Sequence, residues 1–305
     1  MKVKTNSIKK RNYLFIILSC TVLGVYSLLM IAILGWAFLS SFKHKFDFIE
    51  FPTSLFPSSK YGGWHFDNYS IAYLTMHIII NLPQGAVRYV YAEEMLLNSV
   101  VWTIGSAFLN TFTTALVAYC CARFSRRKFA TIIYFITVFA ISIPIIGSLP
   151  SQMKILRWLN IYDTYFVIPF MKMSFVSSYF LVFYAIFMKL PTSFREAAEV
   201  DGAGHWRIFF QIVLPMVMNT LVAVFILFFI SYWNDYSAPM MFMPSKPTIA
   251  QGLYDLMNGQ SSRNKNLSDA TSLAAALLVA IPPIIIFAIF RDKLMTNVTM
   301  GGIKG

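Results

Sequence analysis

Charge is scarce in this chain. Of its 305 residues only 12% are charged, just 13 are acidic, and the mean hydropathy is +0.63. A soluble domain of this size needs far more charge to cover its surface, so the shortage excludes that class and leaves a polytopic membrane protein. Cysteine is nearly absent too. Cys20, Cys120 and Cys121 all fall in apolar runs, and an odd number in such places is no disulfide framework; they read as small packing residues. There is no G-x-x-x-x-G-K-[ST] anywhere, so the chain has no phosphate-cradling loop for a nucleotide. The histidines His44, His65, His77 and His205 form no H-E-x-x-H, and no metal or nucleophile cluster of a membrane-embedded enzyme is visible.

Long apolar runs are what the chain has instead. A membrane-spanning helix needs about 20 mainly apolar residues. Six stretches qualify: Tyr13–Ser40, Leu96–Ala122, Phe129–Pro150, Tyr165–Met188, Phe209–Trp233 and Thr271–Phe290. The run Ile71–Leu82 is too short and is interrupted by His77, so it reads as a surface-lying or re-entrant helix. The expected fold class is all-α, with six transmembrane helices. Runs two, three, five and six hold no Asp, Glu, Lys or Arg in their interiors. Ion-coupled carriers bury such groups as relays, so their absence argues against a proton-driven carrier and fits a passive gate worked from outside.

The net charge of +12 invites a nucleic-acid reading, but the basic residues flank spans, which suits topology control better. With the N-terminus placed in the cytoplasm, fifteen of the 25 Lys and Arg residues fall on the inner side. That places both termini inside. The basic start followed by a long apolar run is read as a retained first helix, since the run exceeds a signal-peptide core and lacks a small-residue cleavage site.

No soluble domain interrupts the spans and no repeat at a fixed period is present. The organisation expected is residues 1–95 as tail, first span and long outer loop, 96–291 as a core of five spans, and 292–305 as a cytoplasmic tail. Segment 41–95 is rich in aromatics and proline, including Phe51-Pro52, Phe56-Pro57, Trp64 and Tyr69; it suits either the headgroup belt or an external docking surface. Segment 234–269, with Pro239, Pro244, Pro247, Gly252 and Gly259, reads as a turn-rich external loop. Pro144 and Pro150 in the third run, and Pro282-Pro283 in the sixth, should kink or break those helices.

The most informative stretch lies between the fourth and fifth spans, at residues 190–215. It contains Glu196-Ala197-Ala198, three residues, Gly202, nine residues, then Ile212-x-Leu214-Pro215. Pro191 ends the fourth span. Ser193 with Glu196 three residues on makes a capping box, starting a short helix at Phe194. Gly202 can take the left-handed conformation that stops it, and Gly204 loosens the next turn. Phe194, Ala197, Ala198 and Asp201 recur at helical spacing, giving one face of small residues with an aromatic anchor. Such a face admits a partner's backbone. A plain amphipathic connector is the alternative. Pro215 should bend the start of the fifth span.

That pattern carries a resemblance. The chain resembles the inner-membrane permease subunits of ABC importers, whose EAA-x3-G-x9-I-x-L-P loop matches Glu196 to Pro215 at all its fixed positions. Asn98-Ser99, Ala118-Tyr119, Ala122-Arg123-Phe124, Asp201-Gly202-Ala203, Trp233-Asn234-Asp235 and the ending Gly301-Gly302-Ile303-Lys304-Gly305 are similar to the carbohydrate branch and its MalG-type subunit. The resemblance covers roughly residues 96–305, and segment 41–95 departs from it in looking longer than the usual first outer loop.

It implies a MetI-like permease fold with a cytoplasmic coupling helix in loop 190–209, in a multi-pass inner-membrane protein. The substrate class implied is sugars, with peptide or amino-acid permeases sharing the same loop. No cofactor is implied for this chain, only ATP and Mg on a partner. The partners are a cytoplasmic ABC ATPase dimer, a second related permease, an extracytoplasmic solute-binding protein and membrane lipid, with no nucleic acid. Glu196, Ala197, Ala198, Asp201, Gly202, Ile212, Leu214 and Pro215 would carry the coupling. Gly302, Lys304 and Gly305 would reach toward the ATPase, or else fray.

Inside the spans, Asn110, Asn219 and Gln211 could contact a hydroxylated solute or merely pair helices. Trp233 and Asn234 combine an aromatic with an amide as sugar contacts do, although Trp at an interface is ordinary anchoring. Lys172 is a snorkelling lysine or a substrate contact.

Overall fold

In the first 75 residues an apolar helix ends on a small hydrogen-bonded knot. The computed structural model describes residues 2–81, 85–143, 147–174, 176–258 and 267–300, and it divides into two compact units. The first unit holds residues 1–75 and 259–278. Helix α1 (Lys2–Ser40) contains a 26-residue apolar stretch, Phe15–Ser40, that is exposed along nearly its whole length. An all-round apolar, unpacked helix of that length is what lipid solvates. At its end, Lys43 is fully buried and donates to the carbonyls of Phe51 (3.0 Å) and Ser54 (2.6 Å). Burial pushes its ammonium pKa down, partly offset by Asp47 in α2 (Lys45–Glu50). Asn68 in α3 (Asp67–Thr75) donates to the carbonyls of Ser41 and Lys43 at 2.8 and 2.9 Å. This part of segment 41–95 is thus internally bonded rather than an open loop.

The second unit holds residues 76–258 and 279–305. The expected surface helix over Ile71–Leu82 is not formed. Residues 67–75 close α3, and β1 (His77–Asn81) then pairs antiparallel with β2 (Val87–Tyr91), His77 opposite Tyr91 and Asn81 opposite Val87. The cause is composition: three consecutive isoleucines face a Val- and Tyr-rich partner, and such residues fit a pleated ribbon better than a helix. Among the described residues the other regular elements are helices, so the all-α expectation is corrected at this hairpin.

Helix α4 (Ala92–Arg123) is the hub. Ala107, Ala115 and Ala118 are fully buried on it, and small residues at such positions let neighbouring backbones approach closely. The predicted third span is shorter than expected: α5 (Lys128–Ser142) has 15 residues, and Pro150 opens α6 (Leu149–Trp158) instead of closing α5. A proline in the first turn of a helix is tolerated, because the N–H groups there have no partner within the helix anyway. Pro144 lies outside the described residues.

The fourth span is split into α7 (Val167–Lys172) and α8 (Phe180–Lys189). Between them Ser174 Oγ accepts from Val176 N (3.1 Å) and Ser177 Oγ from Tyr179 N (3.3 Å). These serines give the backbone partners outside a helical ladder.

After the elbow described below, the fifth span continues as α12 (Met218–Trp233), which packs along α4. The expected external loop 234–269 instead carries α13 (Ser237–Phe242) and α14 (Ile249–Asn258), and α14 is pressed against α4. A Cβ placed on Gly252 would lie 2.8 Å from both Sδ and Cε of Met95, so a larger residue at this crossing would have to displace the end of that side chain. Asn98 pins the approach: it donates to Pro247 O (3.0 Å) and accepts from Tyr165 Oη (2.6 Å). Ser99 Oγ accepts from Ile249 N (2.7 Å). The last helix, α15 (Asp269–Met300), runs through Pro282 and Pro283 without a break.

Among the described residues three helices are long and apolar enough to cross a membrane, Phe15–Ser40, Ala92–Arg123 and Asp269–Arg291, or four counting the bent pair His205–Met216 with Met218–Trp233. The expected third and fourth runs do not meet that length as continuous helices.

Replacing Asn98 by Ala leaves the buried Pro247 carbonyl without its partner, a loss of about 1–3 kcal/mol, and also removes the bond to the more exposed Tyr165 hydroxyl. Thermal unfolding of the purified chain in detergent should show a clearly lowered midpoint for N98A. The neighbouring L97A, at an exposed position, should unfold like the parent. Equal midpoints for N98A and L97A would contradict the pinning role.

Candidate functional site

Residues 190–217 form an elbow whose parts follow from local chemistry. Leu190 is extended, as a residue before proline must be, and α8 stops there. Helix α9 (Ser193–Val200) starts one residue earlier than expected, with Thr192 at its cap and no side-chain capping bond. The capping box at Ser193 is therefore not made. Ser193 already lies inside the first turn, where its hydroxyl no longer faces the free amides.

The other end is as expected. Gly202 has φ +76°, Gly202 N donates to Glu199 O (3.1 Å), and Ala203 N donates to Ala198 O (2.9 Å). This pair of bonds around a left-handed glycine is the Schellman arrangement that satisfies the last carbonyls.

The predicted single face is divided. Ala198 is buried, whereas Phe194, Ala197, Asp201 and Glu196 are exposed. Ala198 joins a core cluster with Cys121 of α4, Phe183 and Phe187 of α8, and Ile208, Phe209 and Val213 further along the elbow. A polar strap reinforces it. Arg123, the last residue of α4, pairs with Glu199 of α9, and Arg195 Nε lies 3.7 Å from the same carboxylate. Glu196 keeps only a long contact with Arg195, at 3.8 Å.

Beyond the glycines, α10 (His205–Ile208) widens into a π-turn, Phe209–Val213, before α11 (Leu214–Met216). Helix α12 leaves at 78° to this arm. Pro215 explains the irregularity: it has no N–H to give the carbonyl four residues back, and its ring crowds that carbonyl. Ile212 and Leu214 are partly buried against the same core cluster, and Pro215 is exposed. The structure thus brings the expected elbow residues together in one continuous piece.

Two of the expected pathway residues make contacts between helices. Asn110 donates to Tyr232 Oη (2.6 Å), and buried Trp233 donates to Val279 O (2.9 Å). Both are used in helix pairing. Asn234 donates to Ile230 O at a helix end, and Asn219 is exposed. Gly302, Lys304 and Gly305 lie outside the described residues.

Two features escaped the sequence. The Arg123–Glu199 strap joins residues far apart in the chain, and nothing local announces it. Lys172 does not reach out to water: its Nζ lies 4.3 Å from the centre of the Tyr232 ring and 5.0 Å from that of Trp102, within cation–π range. Its being the one charge in the interior of the predicted fourth span was the available signal. Among the described residues, no group of three or more His, Cys, Asp or Glu side chains could hold a metal ion.

The family described as binding-protein-dependent transport system inner membrane component matches residues 112–298, more than half of the chain and all of the elbow. The chain belongs to this family. It is therefore a membrane component of a transport system, of a family of transport subunits and not of catalytic chains. Among its relatives, the chain is similar to the diacetylchitobiose uptake system permease protein NgcG of Streptomyces coelicolor, 28% identical over 301 residues, 94% of this chain and 88% of that one. The inner membrane ABC transporter permease protein YcjP of Escherichia coli is 30% identical over 213 residues, 68% of this chain and 73% of its own.

Among solved structures, the fold matches a chain of a bacterial ABC transporter involved in the import of the acidic polysaccharide alginate. The TM-score is 0.71 at 18% identity, over 92% of this chain and 96% of that one. The membrane permease fold, MetI-like, is that of this family.

Gly202 and Gly204 provide a paired test of the elbow. An alanine at φ +76° is strained whatever space surrounds it, whereas Gly204 has φ −69° and no atom within 4 Å of its would-be Cβ. G202A should cost about 1 kcal/mol locally and speed amide exchange across 193–203 roughly fivefold, with G204A near the parent. Equal exchange in the two variants would show that the left-handed cap is not what ends α9.

Proposed function

We propose that this chain is a permease subunit of an ATP-driven, binding-protein-dependent importer of sugars or oligosaccharides, with α9 as its coupling helix. The observation that carries the reading is the elbow: a short helix stopped by Gly202, anchored through Ala198 and the Arg123–Glu199 pair, leaves Glu196, Ala197 and Phe194 on the surface. The chain has no phosphate-binding loop, so work must arrive from another protein, and the exposed face of an anchored helix is where a push can be delivered.

In this reading the ATP and Mg belong to a cytoplasmic ATPase dimer, which carries out the hydrolysis, and this chain binds no cofactor. A second related permease completes the pathway, and an extracytoplasmic binding protein hands over the solute through alternating access. Both termini and loop 190–209 are cytoplasmic, which the excess of Lys and Arg on that side supports. Six crossings follow if the α5 and α7–α8 segments each traverse the bilayer. The organisation is then 1–95, a five-span core 96–291 and a tail 292–305 whose Gly302, Lys304 and Gly305 approach the ATPase.

Ile212, Leu214 and Pro215 set the angle at which the elbow meets α12, and Asp201 with Gly202 ends the coupling helix. The sugar assignment is supported by relatives named for diacetylchitobiose and for alginate import, and by a structure of an alginate transporter in complex with an alginate pentasaccharide-bound periplasmic protein, matched at TM-score 0.55 and 16% identity over 93% of this chain and 94% of that one. A peptide or amino-acid permease is the other reading that the shared loop allows.

E196K reverses a charge on the exposed face of α9, and G202D puts a carboxylate and a Cβ at the left-handed position. In proteoliposomes holding the full complex, each should lower ATP-dependent uptake at least tenfold, while the chain still inserts and assembles. Uptake at the parent rate in both would remove α9 from the coupling path.

A further inference from the structure

We propose that the cavity beside α9 binds the phosphate headgroup of an anionic phospholipid. The cavity has a volume of about 740 Å³, inside the range of roughly 300–1,000 Å³ in which small-ligand sites fall. One wall is cationic. Arg123, Arg126 and Arg127, at the turn from α4 to α5, and Arg195 of α9 all line it, against the single carboxylate of Glu196. Another part of the lining, its apolar wall, is made by Phe187 and Met188 at the end of α8 and by Val213 and Met216 near the start of the fifth span.

The arginines differ in how they are engaged. Arg123 is paired with Glu199, and Arg195 lies near Glu196 and Glu199. Among the described residues, Arg126 and Arg127 are exposed and have no carboxylate within 4.0 Å. A phosphate oxygen is the acceptor that guanidinium groups match best, and among the described residues two of the four arginines on this cavity have no protein carboxylate to serve that purpose.

The apolar wall decides between lipid and other anions. It is formed at the ends of membrane helices, where a glycerol backbone and the first methylenes of acyl chains would continue from the headgroup. A free anion, or an acidic segment of a soluble partner, has no use for that surface. Basic pockets between membrane helices near the membrane surface are where anionic headgroups are held. The inference rests on the proposed function only for naming the cytoplasmic leaflet as the source.

The test uses the purified transporter, this chain with its partner subunits, in a neutral detergent. Dioleoylphosphatidylglycerol, dioleoylphosphatidylcholine or inorganic phosphate is titrated in, and the thermal midpoint is followed. Native mass spectrometry counts the retained lipid. Phosphatidylglycerol should raise the midpoint saturably, phosphatidylcholine should not, and phosphate should act only at far higher concentration. R126Q/R127Q, which alters exposed residues without ion pairs, should leave the lipid-free midpoint unchanged, weaken the apparent phosphatidylglycerol affinity at least tenfold, and lose one retained lipid.

An equal response to phosphatidylcholine, or an undiminished phosphatidylglycerol response in R126Q/R127Q, would overturn the site. Phosphate matching phosphatidylglycerol at equal concentration would make it a free-anion site and overturn the lipid. A phosphatidylglycerol response that appears only when the ATPase is stripped away would mean that an acidic partner surface fills the cavity, which also overturns it. Uptake is not measured, so these outcomes stand apart from the E196K and G202D results.

Discussion

The rest of the elbow depends on the burial of one small side chain among large ones. Ala198 lies at the point where α9 meets α4 and α8, and its own burial is worth little, about the transfer of a methyl group at ~0.8 kcal/mol. The weight is carried by Phe183, Phe187 and Phe209 in the same cluster, each worth about 1.5–3 kcal/mol when fully buried. What Ala198 supplies is distance: a larger side chain would hold α9 away from those rings. Because such cores are close-packed and poorly compressible, a displacement of α9 reaches α8 and the Leu221–Val224 region of α12 through side chains already in contact. The Arg123–Glu199 pair, only partly exposed, ties the same helix to the end of α4.

Irregular backbone concentrates around this hub. The π-turn at Phe209–Val213, the 78° bend after it and the serine-rich gap between α7 and α8 all interrupt helices in the apolar part of the chain. In a hydrocarbon surrounding each freed amide needs a partner, and here serine hydroxyls in the gap and neighbouring carbonyls at the bend supply several of them. Such breaks are stable only where surrounding packing determines them, so a straight continuous helix in these places would be a different machine. The bend lets the elbow lie across the axis of the fifth span, and the gap lets Lys172 reach the rings of Trp102 and Tyr232.

Much of this was legible in the residues. Hydropathy alone located α1, α4 and α15, because an apolar run longer than about 20 residues suits a bilayer crossing and little else. Gly202 announced its left-handed conformation, and Pro215 its bend. Averaging over a window, however, cannot see a split, so the fourth span read as one helix although Ser174 and Ser177 redirect its backbone. The length of the apolar run does not announce the hairpin at His77–Tyr91; the signal for it is the β-branched character of Ile78, Ile79 and Ile80. The capping box at Ser193 failed for a geometric reason, since a cap works only if the helix begins one residue later than it does.

The amino-acid order by itself determined the class of the molecule: a membrane chain with apolar spans, no nucleotide loop of its own, and an elbow punctuated by Pro191, Gly202 and Pro215. These follow from properties each residue carries anywhere, namely transfer energy, a missing amide or a missing Cβ. Tertiary structure decided what depends on neighbours distant in sequence. It chose which side of α9 turns inward, paired Arg123 with Glu199, folded segment 234–258 onto α4 through Asn98 and Ser99, and lined a cavity with both arginines and methionines. Those outcomes rest on distances between chain segments, and no local preference encodes a distance.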